Sequence, residues 1–211
     1  MRWGFIEVEH EVLIVGIGGQ GIQLVGKTLA QAATDAGLHA MLAADYGGEM
    51  RGGPSQSTVV VGDAPLRALP ILPAAGAAIV MHDKFTGPVP ERVRPDGLVV
   101  LNSSIVDPDA VGSAHRVVAL PVTDMARDLG APQAAGLIIL GAFAAVTGVV
   151  DHEHMVAAMT SLLPPYRRQH AESNARALAA GAAAVADPTA RASELRGYID
   201  PESSEAQGAA A

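Results

Sequence analysis

A glycine-rich segment near the start of the chain, residues 16–21 (Gly-Ile-Gly-Gly-Gln-Gly), has the composition and spacing of an anion-binding turn. It follows a short apolar run at 12–15 and precedes a helical pattern that begins near Ile22. A strand that leads through a glycine cluster into a helix is the βα turn of nucleotide-type α/β units. Glycine there adopts backbone angles closed to other residues and leaves the helix amides bare for an anion. The segment therefore predicts either an anion site or a tightly fitted subunit contact.

A second glycine cluster, Arg51-Gly52-Gly53, follows the second predicted strand and adds one fixed positive charge. An arginine beside bare amides offers a planar guanidinium that fits a carboxylate or a phosphate. A salt bridge to Glu49 or Asp45, or to a neighbouring subunit, is the alternative role for this arginine. We expect the two glycine loops to meet at the same edge of one parallel sheet.

The first loop also fits a dinucleotide site. Gly16, Gly18 and Gly21 match the pattern G-x-G-x-x-G, and Asp45 ends the second predicted strand, where a ribose-binding acid would lie. Two features count against a dinucleotide site. The connection at 84–95 contains three prolines and is a poor helix, so a second αβ half is missing. Binding of a nicotinamide cofactor would also leave the second glycine cluster, Arg51-Gly52-Gly53, without a role. Close packing of helix on strand explains the same glycines equally well. A free-standing dinucleotide-binding protein therefore stays as an alternative.

Residues with catalytic chemistry occur elsewhere but do not converge. The seven histidines form no ligand set, since His152 and His154 fall on different faces of their predicted helix. His82 is interpreted as an isolated surface histidine. Ser103 and Ser104 follow a predicted strand at the carboxyl edge, where ligands bind in parallel sheets. The sequence predicts no catalytic residue and no metal site, and it favours a binding or scaffolding role.

Composition narrows the class of protein. The 211 residues contain no cysteine, which removes disulfides, thiolate nucleophiles and any iron–sulfur cluster held by this chain. A formal net charge of -8 argues against a general nucleic-acid binder. The first residues do not resemble a signal peptide, and the uncharged segment 134–150 is predicted as a buried helix rather than a membrane span. We expect a cytoplasmic protein.

Predicted strands and helices alternate in the first part of the chain, and the second part is predicted to be helical only. Apolar or β-branched runs predict six strands, at 11–15, 38–44, 55–61, 77–81, 97–101 and 117–120. The third follows the second too closely for a crossover helix, so it is expected to be antiparallel or at an edge. Apolar spacing and stop signals predict helices from 22 to a stop at Gly37, and at 121–129, 133–147, 151–163 and 166–180.

This pattern predicts a single three-layer, Rossmann-like α/β domain at 1–186, with a mostly parallel sheet and a helical C-terminal cap. Residues 187–211 are small or charged and lack apolar periodicity, so they are expected to form a flexible or partner-bound tail. No internal repeat and no linker divides the domain.

Several segments, taken together and in order, are similar to one known family. They are Gly-Ile-Gly-Gly-Gln-Gly at 16–21, Tyr-Gly-Gly-Glu-Met-Arg-Gly-Gly at 46–53 with Ser55 and Ser57, Asn-Ser at 102–103, Pro-Val-Thr-Asp-Met-Ala at 121–126, Leu-Gly-Ala at 140–142, and Asn174. Over about 12–181 the chain resembles the gamma subunit, or gamma domain, of 2-oxoacid:acceptor oxidoreductases. These paired signatures are far more specific than either glycine loop alone.

The resemblance implies the function of a whole complex. Members of the family oxidatively decarboxylate a 2-oxoacid such as pyruvate on thiamine diphosphate with Mg²⁺, and usually transfer the acyl group to coenzyme A. Electrons pass through 4Fe–4S clusters to ferredoxin or another acceptor. Thiamine-binding alpha-type and beta-type subunits and a ferredoxin-like iron–sulfur subunit hold these groups. The gamma chain itself would carry none of them and would not be catalytic alone, which agrees with the absence of cysteine.

The resemblance also implies where the two loops would lie. The first loop would face the rest of the complex, and the second would lie near the active cleft. There Arg51 would meet an anionic group of coenzyme A or a carboxylate of a partner. The residues predicted to bind a cofactor are Gly18, Gly19, Gln20, Gly21, Arg51, Gly52 and Gly53.

Overall fold

Strands that lie side by side in one sheet carry the two glycine loops. The computed structural model describes residues 9–46, 52–66, 73–186 and 195–196. Its strands are β1 (Glu9–Ile17), β2 (His39–Tyr46), β3 (Pro54–Gly62), β4 (Ala75–Val80), β5 (Val93–Asn102), β6 (Arg116–Leu120) and β7 (Leu195–Arg196). Their order is β2-β3-β1-β4-β5-β6-β7. Only β3 and β7 run against the common direction, so the prediction of a mostly parallel sheet is confirmed.

The third strand, β3, lies inside the sheet between β1 and β2. It pairs antiparallel with both, with Pro54 opposite Ile17 and Ser55 opposite Tyr46. The prediction of an antiparallel strand is therefore confirmed, while the alternative of an edge position is wrong. The physical reason is apolar character on both faces of the strand: Val59 and Val60 are both 0% exposed, and burial on both faces is the mark of a central strand.

The helices of the described residues are distributed unequally over the two faces of the sheet. They are α1 (Ile22–Asp35), α2 (Val89–Arg92), α3 (Val122–Asp128), α4 (Ala135–Thr147), α5 (His152–Leu162) and α6 (Ala171–Ala186), with 3₁₀ turns at Asp83–Phe85, Pro108–Val111, Pro132–Ala134 and Pro165–His170. The larger core lies between the sheet and α1, α3, α4, α5 and α6. A smaller core on the other face is covered by α2 and 3₁₀ turns. The predicted single α/β domain with a helical C-terminal cap is confirmed.

Helices α4 and α6 pack with their backbones almost in contact. A Cβ atom added to Gly141 would overlap the main-chain oxygen of Leu178, and one added to Gly181 would overlap the main-chain oxygen of Ile138. Only glycine leaves room for this approach, because every other residue carries a Cβ atom. The two glycines therefore fix how closely the C-terminal helix sits on α4.

The apolar segment near residue 140 is a core helix. All of residues 135–144 in α4 are buried, and Ile138 and Ile139 are 0% exposed. The prediction of a buried helix is therefore confirmed. Among the described residues, no helix has the length and apolar character needed to cross a membrane.

The last helix starts later than its apolar spacing predicts. Residues Pro165–His170 form a 3₁₀ turn, and the α-helix runs over Ala171–Ala186 instead of 166–180. Pro164 is extended (φ -62, ψ 154), as expected for a residue that precedes another proline. The predicted N-cap at Asp151 is confirmed, since its side chain accepts a hydrogen bond from the main-chain N–H of His154.

The segment predicted as a tail is described only at Leu195–Arg196, which pair antiparallel with β6 at Val117 and Val118. Residues 187–194 and 197–211 lie outside the described part of the chain. The domain boundary at 186 and the flexible or partner-bound character of the tail therefore stay predictions.

Candidate functional site

The two glycine loops meet at the carboxyl end of β1. The main-chain N–H of Gly18 donates a hydrogen bond to the main-chain oxygen of Gly53 at 2.9 Å. This contact extends the β1–β3 ladder beyond its last pair, Ile17 and Pro54. The expectation that both loops lie at the same edge of one sheet is therefore confirmed for the described residues.

Three glycines of these loops have backbone angles that favour glycine and leave open space where a side chain would stand. Gly19 has φ +104, Gly21 has φ +77 and Gly52 has φ +72, and within the described part of the chain a Cβ atom on any of them would meet no atom within 4 Å. Positive φ strains residues that carry a Cβ. The loops therefore combine a defined backbone with positions at which no other described residue occupies the place of a side chain.

The start of α1 opens onto the same space. Gly21 is the N-cap of this helix, makes no side-chain capping bond, and is followed by no acidic residue in the first turn. The first N–H groups of a helix have no partner within the helix, and they carry a partial positive charge. An anionic group is the natural partner for this end of α1.

Gln20 turns its side chain into the protein. Its Oε1 accepts from the main-chain N–H of Ile17 at 3.0 Å, and its Nε2 donates to the main-chain oxygen of Met81 at 3.0 Å. A Cβ atom on Gly16 would lie 2.6 Å from this Oε1, so the glycine makes room for the amide. Gln20 therefore holds the first loop against the end of β4.

Asn102 links the ends of the neighbouring strands and is 0% exposed. Its Nδ2 donates to Oγ1 of Thr123 at 2.8 Å and to the main-chain oxygen of Met81 at 3.4 Å. Its Oδ1 accepts from the main-chain N–H of Ser104 at 3.3 Å. A buried amide needs such partners, because an unpaired polar group is costly in an apolar core. In the sequence, Asn102 is marked by its position as a polar residue at the end of a strand that is otherwise apolar.

Ser104 closes this network at the surface. Its Oγ donates to Oδ2 of Asp124 at 2.7 Å, which ties the end of β5 to the start of α3. Ser103, its neighbour, is exposed. The predicted position of both serines at the carboxyl edge is confirmed.

A glutamine that sequence reasoning missed ties α1 to β3. Oε1 of Gln23 accepts from Oγ of Ser57 at 3.0 Å, and Nε2 donates to the main-chain oxygen of Gln56 at 2.9 Å. Gly26 allows the close approach, since a Cβ atom there would lie 2.9 Å from Cβ of Ser57. A polar residue in the first turn of α1, facing a strand with serines at alternate positions, is the pattern that could have revealed this contact.

Arg51 and Asp45 are the charged residues predicted beside the two glycine loops. Arg51 lies outside the described residues, so its predicted role stays a prediction. Asp45 is exposed at the end of β2, and β3 separates it from β1. Two strand spacings, about 10 Å, lie between β1 and β2, whereas the doubly wound dinucleotide fold sets these strands side by side. Asp45 therefore does not have the position that the dinucleotide alternative requires.

Two of the histidines, His82 and His154, contact a nearby aspartate. Nδ1 of His82 lies 2.6 Å from Oδ1 of Asp83, beside a 3₁₀ turn. Nδ1 of His154 lies 2.8 Å from Oδ1 of Asp151 at the start of α5. The main-chain N–H of His154, and then its ring, hold the pKa of the Asp151 carboxyl below its usual value. In the described part of the chain, no three acidic, histidine or cysteine side chains are grouped to hold a metal ion.

Comparison with known proteins identifies the class. The chain belongs to the pyruvate ferredoxin/flavodoxin oxidoreductase family, whose sequence profile matches residues 11–184. Within this class it is a gamma-type subunit of a 2-oxoacid:ferredoxin oxidoreductase complex, as its relatives and structural neighbours indicate.

Three comparisons illustrate the match. 2-Oxoglutarate synthase subunit KorC of Archaeoglobus fulgidus is 29% identical over 174 residues, which cover 82% of this chain and 86% of KorC. Ketoisovalerate oxidoreductase subunit VorA of Methanothermobacter thermautotrophicus is 30% identical over 138 residues, 65% of this chain but only 28% of VorA. The gamma subunit of keto/oxoacid ferredoxin oxidoreductase from Geobacter sulfurreducens superposes with a TM-score of 0.71 at 25% identity, covering 90% of this chain and 99% of that one. The matched region thus covers nearly all of the Geobacter gamma subunit but less than a third of VorA.

Proposed function

We propose that the glycine edge, defined as Gly18 to Gly21 together with Gly52 and Gly53, forms the coenzyme A side of the active cleft where this gamma subunit meets its partner subunits. The observation that carries this proposal is the hydrogen bond between Gly18 and Gly53, which joins two loops into one surface. The space beside Gly19, Gly21 and Gly52, which no other described residue fills, supports it, because a ligand can approach the main chain closely at a glycine.

The charge expected at this edge suits an anion. The start of α1 carries roughly half a positive charge, and no acidic side chain stands in its first turn. Coenzyme A carries phosphates, which helix N-termini and glycine loops bind through main-chain N–H groups. Arg51, adjacent to Gly52 in the sequence, would add a full positive charge that binds a phosphate or a partner's carboxylate.

The glycines and Gln20 have different roles in this proposal. The glycines Gly19, Gly21 and Gly52 present main-chain groups and bind the ligand. Gln20 contributes by holding the loop in shape, since its Oε1 and Nε2 already make hydrogen bonds within the protein. Such support from residues behind a binding surface keeps the surface in its binding geometry before the ligand arrives.

The reaction belongs to the complex. We infer that partner subunits of alpha and beta type hold thiamine diphosphate with Mg²⁺, and that a ferredoxin-like subunit holds 4Fe–4S clusters that pass electrons to ferredoxin or another acceptor. Coenzyme A, when bound, supplies the thiol that accepts the acyl group. This chain binds and orients the anionic part of that ligand. We also propose that residues 1–186 form the domain that assembles with the partners, that 187–211 form a flexible or partner-bound tail, and that the complex is cytoplasmic.

The test uses the complex assembled from coexpressed subunits. Arg51→Ala should raise the KM for coenzyme A about tenfold or more, since losing a charge-assisted hydrogen bond costs about 1.5–3 kcal/mol. Gly21→Ala should raise the same KM, because a Cβ atom would enter the open space. Gly37→Ala is the matched control: Gly37 has φ +81 and equally open surroundings, but it lies at the other end of α1.

The outcomes separate the proposal from its rivals. A raised KM in the first two variants, with normal assembly and a normal control, supports a ligand role for the edge. A lower yield of assembled complex, with an unchanged KM for coenzyme A in the complex that does form, assigns the edge to a subunit contact alone. If Arg51→Ala changes neither the KM nor assembly, the role proposed for this arginine is wrong.

A further inference from the structure

A cleft at the opposite end of the sheet from the glycine edge is lined by apolar residues together with an arginine and a histidine. It lies between the first residues of the strands and the last turns of α4, and its volume is about 290 Å³. The apolar walls include Leu98 and Phe143, which are buried, and the partly buried Val146. His10 and Arg116 bring polar groups to the same cleft.

The acidic residue beside this cleft points away from it. Glu11 contributes to the lining of the cleft. Successive side chains point to opposite faces of a strand, so the Glu11 carboxylate lies on the opposite face of the sheet from the side chains of His10 and Val12. On that face Glu11 forms an ion pair with Arg94. The cleft therefore receives the guanidinium of Arg116 and the imidazole of His10 without a carboxylate from β1.

Arg116 keeps part of its guanidinium available. It begins β6, on the same face as the core residue Val118. Its Nε donates to the main-chain oxygen of Asp96 at 3.0 Å, and it forms no ion pair with another described residue. Among the described residues this is its one hydrogen bond, so it orients the guanidinium while the two terminal nitrogens contact no described acceptor. A guanidinium fork matches the geometry of a carboxylate.

We propose that this cleft binds a small monocarboxylate with a short or branched apolar body. The carboxylate would pair with Arg116, and the apolar body would lie against Leu98, Phe143 and Val146. A cleft of about 290 Å³ lies just below the range of ligand pockets, roughly 300–1,000 Å³, so the ligand must be small. The end of α4 carries roughly half a negative charge, which weakens but does not cancel the full charge of the guanidinium. Millimolar affinity is therefore expected.

The experiment titrates the purified full chain with 3-methylbutanoate and, in parallel, with its neutral amide, 3-methylbutanamide, followed by NMR chemical shifts. The acid should bind saturably, with shifts concentrated at Leu98, Phe143 and Val146. The amide should bind at least about fivefold more weakly, because it lacks the charge that Arg116 recognises. Arg116→Gln should weaken binding of the acid by a similar factor and leave the amide unaffected.

Two further variants complete the test. Val146→Phe fills the cleft from a partly buried position and should abolish binding of both compounds while the chain stays folded by circular dichroism. Arg168→Gln is the control, since Arg168 is exposed on the 3₁₀ turn before α6, and it should bind the acid as the unmodified chain does. The proposal is overturned if the unmodified chain shows no saturable binding, or if Val146→Phe or Arg116→Gln binds the acid as well as the control does.

Discussion

Gln20 and Asn102 donate hydrogen bonds to the same acceptor, the main-chain oxygen of Met81, at 3.0 and 3.4 Å. The main-chain N–H of Met81 in turn donates to the oxygen of Val15 at 2.9 Å. One residue after β4 thus joins the first glycine loop to the ends of β1 and β5. The shape of the loop depends on side chains that approach it from inside the protein.

Substitution of these two amides should reveal that they act together. Asn102→Ala leaves buried hydrogen-bonding groups without a partner and should lower the free energy of unfolding by about 1–3 kcal/mol. Gln20→Ala should cost less, because Gln20 is only partly buried. Since both bonds end on one oxygen, the double variant should differ from the sum of the single variants by about 0.5 kcal/mol or more. Urea unfolding of the four proteins measures this difference, and simple additivity would show that the shared acceptor does not couple them.

The contact between α4 and α6 predicts a large effect from one methyl group. Gly141→Ala should destabilise the protein by about 3 kcal/mol or more, the upper part of the range for overpacked cores, because the new Cβ would overlap main-chain atoms of Leu178. Gly87→Ala is the matched control, since its Cβ would meet no atom within 4 Å, and it should change stability by less than about 0.5 kcal/mol. Thermal and urea unfolding of both variants would check this, and equal stabilities would refute the close helix contact.

The N-cap of α5 predicts a pH dependence at acid pH. The folded state lowers the pKa of Asp151, chiefly through the main-chain N–H of His154. A lowered pKa means that the carboxylate stabilises the fold above the unfolded value of about 3.9, and that this contribution is lost as the pH falls through the lower folded value. Asp151→Asn keeps a capping oxygen but removes the titrating group. Its melting temperature should therefore fall less steeply than that of the unmodified chain between pH 5 and pH 2, and parallel curves would contradict this.

The position of β3 predicts that the chain alone does not bind dinucleotides. The strand separates Asp45 from the first glycine loop, so a ribose and a pyrophosphate cannot both be bound as in a doubly wound fold. Calorimetric titration of the isolated chain with NAD, NADP and FAD should give no saturable heat. Stoichiometric binding of any of them would revive the alternative that Gly16, Gly18 and Gly21 hold a pyrophosphate.

The meeting of the two loops could be predicted from the sequence because it depends on local rules. Each glycine cluster adjoins a strand of clear apolar pattern, and such loops gather at the edge of a sheet. The position of β3 could not be predicted, because a hairpin from β2 can form on either side of that strand. The side is decided by the burial of both faces of β3, on which Val59 and Val60 lie, and that burial is a property of the assembled sheet.

The role of Gln20 shows a second limit. Its place among glycines suggested a ligand contact, yet its Nε2 bonds to Met81, which is 61 positions away along the chain. Gln23 was overlooked for the same reason, since its partners Ser57 and Gln56 are more than 30 positions distant. Hydrogen bonds between residues so far apart along the chain produce no periodic pattern in the sequence, whereas helices and strands do.

The reversed direction of β3 has a topological consequence. A chain that ran from β2 straight into another crossover helix would carry the arginine-containing loop away from its glycine-rich counterpart. Because β3 instead runs antiparallel to β1 and β2, it begins at the rim where both of those strands end, and Gly53 lies beside Gly18 although the two residues are far apart in the sequence. Any insertion or deletion between β2 and β3 would shift that alignment, so we expect this hairpin to tolerate changes in length far less than the exposed turns at the other rim do.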